Sequence, residues 1–222
     1  MNFISLALML LVLPVAAAPQ DAIKRDEHEM HRLHRHPKAY IDALEDPKRD
    51  AYQKPHEVLK ALGLKQGEVI ADIGAGSGYF TFHLAHHVGD LGKVYAVDVS
   101  PEMILHINRR IRELRSANVV SILADPDDPL LPDASLNRLF FSNSWHHIEN
   151  QTKYLALMKK LLKPGGEIIM IDFHKKELPV GPPIQMKIAR EDLIKQMDSN
   201  GFRLVKEYTL LPYQYFLVFS VR

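Results

Sequence analysis

Val69-Ile70-Ala71-Asp72-Ile73-Gly74-Ala75-Gly76-Ser77-Gly78-Tyr79 runs from an apolar strand pattern, through a glycine turn, into a helical pattern that continues to about Val88. A buried strand, a tight turn and a helix start in that order make a nucleotide-binding corner. Glycine lets the backbone turn sharply and lets a ligand come close, while the first turn of the helix offers free N–H groups. The competing reading is a plain tight loop, against which the flanking strand and helix weigh. Tyr79 stands where a dinucleotide fingerprint has its third glycine, which counts against a pyrophosphate and against a nicotinamide-dependent oxidoreductase. Asp72, an anion at the strand end, repels phosphate and suits a ligand that carries ammonium and sulfonium groups.

The 222 residues, 46% hydrophobic and 25% charged, fit one globular domain with a flank. A formal net charge of +1 gives the whole molecule no electrostatic hold on nucleic acid. The absence of cysteine excludes disulfides, thiolate nucleophiles, cysteine zinc sites and cysteine-held iron–sulfur clusters. Phe3 to Ala18 is apolar and uncharged, short of the roughly 20 residues a membrane span needs. It ends in small residues before Pro19, so residues 1–18 read as an export signal, with cleavage best placed after Ala17. An uncleaved membrane anchor or a misassigned start codon is the alternative.

Residues 19–55 form a polar, helical arm. Its His28, His31, His34 and His36 are interleaved with Glu29, Arg32 and Arg35, and no acidic pair completes a metal site, so a solvated helix is expected. Tyr52 and Gln53, just ahead of Pro55, are candidates for a lid in contact with substrate, against simple packing. From His56 onward the pattern is that of a single domain, beginning with a helix over His56–Leu64.

Val94–Val97 is a second short strand, and Asp98 closes it. An ionised carboxylate there accepts bonds from both hydroxyls of a ribose; the alternative is a cap for helix Pro101–Arg115, a task Ser100 can perform itself. Strand Val119–Leu123 ends near Asp125, one of three aspartates in an acidic loop. Leu139–Phe141 and Glu167–Asp172 are further strands, and Arg203–Tyr208 and Tyr215–Val221 are two more after Gly201.

Asp72-x-Gly74-x-Gly76-x-Gly78, then Asp98, then Asp125, then the Leu161-Leu162-Lys163-Pro164-Gly165-Gly166 turn resemble class I S-adenosylmethionine-dependent methyltransferases in order and spacing. More narrowly, Arg49-Asp50, Gln53-Lys54-Pro55, His146-His147, Gly181-Pro182-Pro183 and Leu211–Tyr215 resemble uncharacterised bacterial methyltransferases with export signals. The resemblance implies an α/β fold: a Rossmann-like, seven-stranded, mostly parallel sheet with helices on both faces and a closing antiparallel pair. It implies S-adenosylmethionine as cofactor, held by Asp72, Gly74, Gly76, Gly78, Asp98, Asp125 (toward the adenine amino group) and Ser142. It also implies methyl transfer to a small-molecule acceptor. A catalytically silent donor-binding sensor is the alternative.

Ser142-Asn143-Ser144-Trp145-His146-His147 follows the fourth strand, and ligands of open α/β sheets bind at such strand ends. It is not Asn/Asp-Pro-Pro-Tyr/Phe, which argues against adenine or glutamine amide groups as acceptors. His146 or His147 can take a proton from a hydroxyl or amine, unless one of them packs or caps the next helix. Trp145 reads as a pocket wall or as core, Asp172 as an acceptor contact or a turn ligand. Tyr213, Gln214 and Tyr215 are placed to return to the site from the last turn.

Overall fold

The computed structural model describes residues 36–222. The expected export signal and His28, His31 and His34 lie outside those residues. Strands β1 (Val69–Ile73), β2 (Lys93–Asp98), β3 (Val119–Leu123), β4 (Leu136–Ser142), β5 (Leu162–Phe173), β6 (Phe202–Tyr208) and β7 (Gln214–Val221) form one seven-stranded sheet in the order β3-β2-β1-β4-β5-β7-β6. Neighbours from β3 to β5 are parallel, and β7 runs antiparallel to both β5 and β6. The chain builds outward from β1 through β2 to β3, then returns to place β4 on the other side of β1. That reversal opens a crevice at the carboxyl ends of β1 and β4.

Central parallel strands are buried on both faces, so their sequences are continuously apolar rather than alternating. Side chains of one parity, among them Ala71, Leu139, Phe141, Ile168 and Met170, meet Tyr154, Leu155 and Met158 of helix Gln151–Leu161. The other parity, including Ile70, Val94, Phe140 and Ile169, meets Val58 and Leu59 of helix Pro55–Leu62 and Phe80 and Leu84 of helix Tyr79–Val88. Helices therefore cover both faces.

Several boundaries differ from the pattern in the sequence. Helix Pro55–Leu62 stops before Leu64 because Gly63 adopts the left-handed conformation, with φ 55°. Strand β4 starts at Leu136 rather than Leu139, because its polar residues find partners at the amino end of the sheet. Asn137 Oδ1 accepts from the Val69 N–H at 2.9 Å, and the Arg138 guanidinium lies 3.0 Å from both Glu68 and Glu167. Strand β5 begins at Leu162, and a register break between Leu136 and Arg138 lets the Lys163–Gly166 bend project from the ladder.

The amino-terminal arm is Pro37–Leu44 (α1), a 3-10 turn Pro47–Arg49 and Asp50–Gln53 (α2). It meets the loops after β1 and β4 through Leu44 at Gly76, Arg49 on Tyr79 and Gln53 at Asn143. Glu45 fastens it to the helix Pro101–Leu114 by accepting from His106 Nε2 at 2.8 Å and Arg110 at 2.7 Å. Lys54 fastens its far end by donating to the Leu210 carbonyl at 3.1 Å.

Gly74 sits where β1 meets the loop after β4: its φ is +70°, and a Cβ there would lie 2.5 Å from Ser144 Cβ. Gly165 has a similar φ of +78° but open space around it. In urea denaturation, Gly74→Ala should cost about 3 kcal/mol, from overpacking added to left-handed strain, and Gly165→Ala about 1 kcal/mol, from strain alone. Equal losses would mean that the close approach to Ser144 contributes nothing.

Candidate active site at the carboxyl ends of the strands

The glycine turn is held by its own amides. Gly74 and Ala75 N–H both donate to the Val97 carbonyl, at 2.8 and 3.0 Å, and Gly78 N–H donates to Ala75 O at 2.9 Å. Gly76 N–H donates to Asp98 Oδ2 at 2.8 Å, while Asp98 Oδ1 accepts from Ser100 N–H at 2.9 Å. Ser100 Oγ caps helix Pro101–Leu114 by accepting from Met103 N–H at 3.3 Å. Asp98 thus braces the loop, and capping the helix falls to its neighbour. All three glycines have positive φ: 70° at Gly74, 56° at Gly76 and 83° at Gly78.

Asp72 lies beneath this loop, only 3% exposed, and its Oδ2 accepts the Thr81 hydroxyl at 2.6 Å. Burial pushes its carboxyl up to about 7; the Thr81 bond holds it down, and the Asp98 charge adds to the rise. Ser77 Oγ, in the same loop, is buried with no hydrogen-bond partner among the described residues. Asp125 is exposed just past β3, its N–H donating to Asp128 O at 3.1 Å.

Across the crevice, Asn143 follows Ser142 with φ +56°, the left-handed region that asparagine enters more readily than other residues with a side chain. Its N–H donates to Ile171 O at 2.8 Å and its Oδ1 accepts from Gln214 at 2.7 Å. Gln53, 2% exposed, turns its amide oxygen to Asn143 Nδ2 at 3.2 Å and to the Arg49 guanidinium at 2.8 Å. A chain of polar contacts therefore runs from Arg49 on the arm to Gln214 at the start of β7.

His146 Nδ1 lies 2.8 Å from Asp172 Oδ2, with both side chains 3% exposed or less. The other Asp172 oxygen accepts from Phe173 N–H at 2.8 Å. Beside an ionised carboxylate, which only accepts, Nδ1 would be the donor of this contact. The exposed His147 ring lies 4.2 Å from His146. Tyr52 stands 6.1 Å from both Phe173 and Tyr213, making an aromatic wall between arm and sheet.

Two residues expected at the substrate are in the core instead. Trp145 is 1% exposed, edge-on to Phe141 and Tyr154, and its indole N–H donates to Gln196 at 3.2 Å. Its large apolar ring is more stable packed than facing a cleft. Tyr215, 2% exposed, pairs with Asp172 in the ladder, on a strand flanked by β5 and β6. The sequence pattern left open the partnership of His146 with Asp172, two residues 26 apart in the chain. It did not single out the contacts of Arg49 and Asn143; a left-handed asparagine after a strand leaves no periodic trace. Among the described residues no group of three or more His, Cys, Asp or Glu side chains could hold a metal ion, and no helix is long and apolar enough to cross a membrane.

Residues 64–207 match a family model described as a methyltransferase domain. A C-methyltransferase of ubiquinone and menaquinone biosynthesis from Salmonella arizonae is 24% identical over 158 residues, 67% of this chain and 62% of that protein. The Escherichia coli protein of the same name is 26% identical over 118 residues, 53% of this chain and 47% of its own length. This chain thus spans about half to three-fifths of those relatives. A crystal structure of a SAM-dependent methyltransferase from Aquifex aeolicus superposes with a TM-score of 0.80 at 28% identity, covering 84% of this chain and 98% of that one. The 1,6-didemethyltoxoflavin-N1-methyltransferase of Burkholderia thailandensis, solved with 1,6-didemethyltoxoflavin and S-adenosylhomocysteine, shares the fold at a TM-score of 0.61 and 19% identity, over 96% of this chain and 93% of that one. The fold is that of the S-adenosylmethionine-dependent methyltransferases, and the chain belongs to the methyltransferase domain family.

An acid whose carboxyl is raised on folding binds more protons folded than unfolded between about pH 4 and 7, so stability falls as pH rises through that window. Asp72→Asn removes the buried charge and keeps a carbonyl for Thr81. It should stabilise the donor-free protein by about 1–3 kcal/mol at pH 8 and by nothing near pH 3, read from urea midpoints. A gain of the same size at both pH values would remove the ionised Asp72 as its cause.

Proposed function

We propose that the protein transfers a methyl group from S-adenosylmethionine to a small-molecule acceptor. The observation that carries this reading is the glycine turn braced by Asp98, with Asp72 and Asp125 at the ends of the neighbouring strands. The residues present fit such a donor: the unpartnered hydroxyl of Ser77 lies in the turn, and acidic side chains surround a ligand that is cationic at sulfur and nitrogen. Asp98 would take the ribose hydroxyls and Asp125 the adenine amino group. Asp72 would supply negative charge from beneath Gly74, Gly76 and Gly78, and Ser142 would face the donor from β4.

S-adenosylmethionine, when bound, supplies a methyl group already activated by its sulfonium. The protein then mainly aligns the acceptor and excludes water, and few catalytic groups are needed. His146 would accept the acceptor's proton at Nε2, with Asp172 holding the opposite nitrogen protonated. His147 is the second candidate for that role, and Tyr52 and Tyr213 would flank the acceptor. A small planar acceptor agrees with the aromatic wall and with the small molecule bound by the toxoflavin methyltransferase. The near-neutral formal charge of +1 offers nucleic acid no purchase.

Asp98→Ala should weaken donor binding by about 1–3 kcal/mol in calorimetry, through lost charge-assisted bonds. Unchanged affinity would take Asp98 out of the site. His146→Ala should depress transfer of labelled methyl into a cell extract far more than it depresses donor affinity. An equal loss in both would make His146 a packing residue. We also propose export, on the strength of the apolar Phe3–Ala18 segment and the small residues that close it. A mature amino terminus at Ala18 in the exported fraction is the expected result, and an intact Met1 in the cytosol would count against it.

A further inference from the structure

S-adenosylmethionine carries a carboxylate beside its ammonium, and the acidic strand ends that suit the cation repel that carboxylate. Backbone amides of a glycine turn are the obvious donors for an anion. Here four of them are already taken: Gly74 and Ala75 by the Val97 carbonyl, Gly76 by Asp98 and Gly78 by Ala75. A side-chain cation beside the turn would add the charge that its remaining amides lack. Arg110 is paired with Glu45 at 2.7 Å, and Lys54 donates to the Leu210 carbonyl at 3.1 Å.

Arg49 differs from both. Its guanidinium lies 4.4 Å from the centre of the Tyr79 ring, on the first residue of the helix that leaves the glycine turn. It donates to the Leu44 carbonyl and, at 2.8 and 3.3 Å, to the Gln53 amide oxygen. Among the described residues no carboxylate comes within the 4.0 Å of an ion pair with it. Burial first, and then the Asp98 charge, push the Tyr40 hydroxyl above its ordinary range, while the Arg49 guanidinium holds it down. Leu44, whose carbonyl Arg49 holds, reaches to 3.0 Å from where a Gly76 Cβ would be.

We propose that Arg49 binds the carboxylate of the donor, an inference that rests on the donor site described under Proposed function. The arm is then fastened over the glycine turn by the ligand itself. Because Arg49 is linked through Gln53 and Asn143 to Gln214, loading the donor also sets the wall against which the acceptor lies. Arg49 recognises the amino-acid end of the donor, whereas Asp98 and Asp125 serve its nucleoside end.

The test is calorimetric binding of S-adenosylmethionine and of decarboxylated S-adenosylmethionine, which keeps the ammonium and the sulfonium, to the full chain. Arg49→Met should bind S-adenosylmethionine about 10- to 100-fold more weakly, the size of a lost charge-assisted contact, and bind the decarboxylated compound as the wild type does. Arg49→Lys should recover part of the loss, and thermal melts of both variants check that the fold persists. Equal loss toward both compounds would make Arg49 a packing residue of the arm and overturn the proposal, as would no loss toward either. Wild-type protein that binds neither compound would remove the donor reading itself, a result distinct from any difference between variants.

Discussion

A single carboxylate at the tip of β2 keeps the glycine turn in shape: Asp98 takes the Gly76 amide on one oxygen and the Ser100 amide on the other. Those two bonds join the loop after β1 to the start of the helix after β2, across the crevice created by the reversal in strand order. With Gly74 and Ala75 also bound to Val97, the turn is preorganised before any ligand arrives. The same arrangement makes the site acidic. Asp72 beneath the loop bears the cost, since burial and the nearby Asp98 both favour its neutral form. A cationic ligand over the loop would offset that cost.

The arm completes the site on two sides. Glu45 holds it to the helix after β2, and Arg49 rests on Tyr79 beside the glycine turn. Farther along, Gln53 and Tyr52 reach Asn143, Phe173 and Tyr213, on the other side of the crevice. One short segment thus touches both halves of the crevice. The polar line from Arg49 to Gln214 is buried for much of its length, so its members have little freedom to move independently.

Across the crevice, the 2.8 Å contact between His146 Nδ1 and Asp172 Oδ2 ties the loop after β4 to the end of β5. Both side chains of the pair are buried. Beside it, Trp145 and Tyr215 give the loop and the strand a firm core footing, although their residue types suggest a pocket lining. A ring that can bury its whole surface against Phe141 and Tyr154 does so, and adjacency to His146 in sequence does not alter that preference.

By itself the sequence determined what depends on local order: an apolar strand ending in Asp72, glycines where φ must be positive, a helix starting at Tyr79, and acids at the ends of successive strands. These are short-range requirements of backbone and charge, and they leave a readable spacing. Only the tertiary structure decided that His146 meets Asp172, that Gly74 must admit Ser144, that Trp145 turns inward, and that Arg49 comes to the glycine turn. Each of those depends on segments far apart in the chain that the sheet order brings together, and no periodicity along one segment encodes which distant side chain it will face.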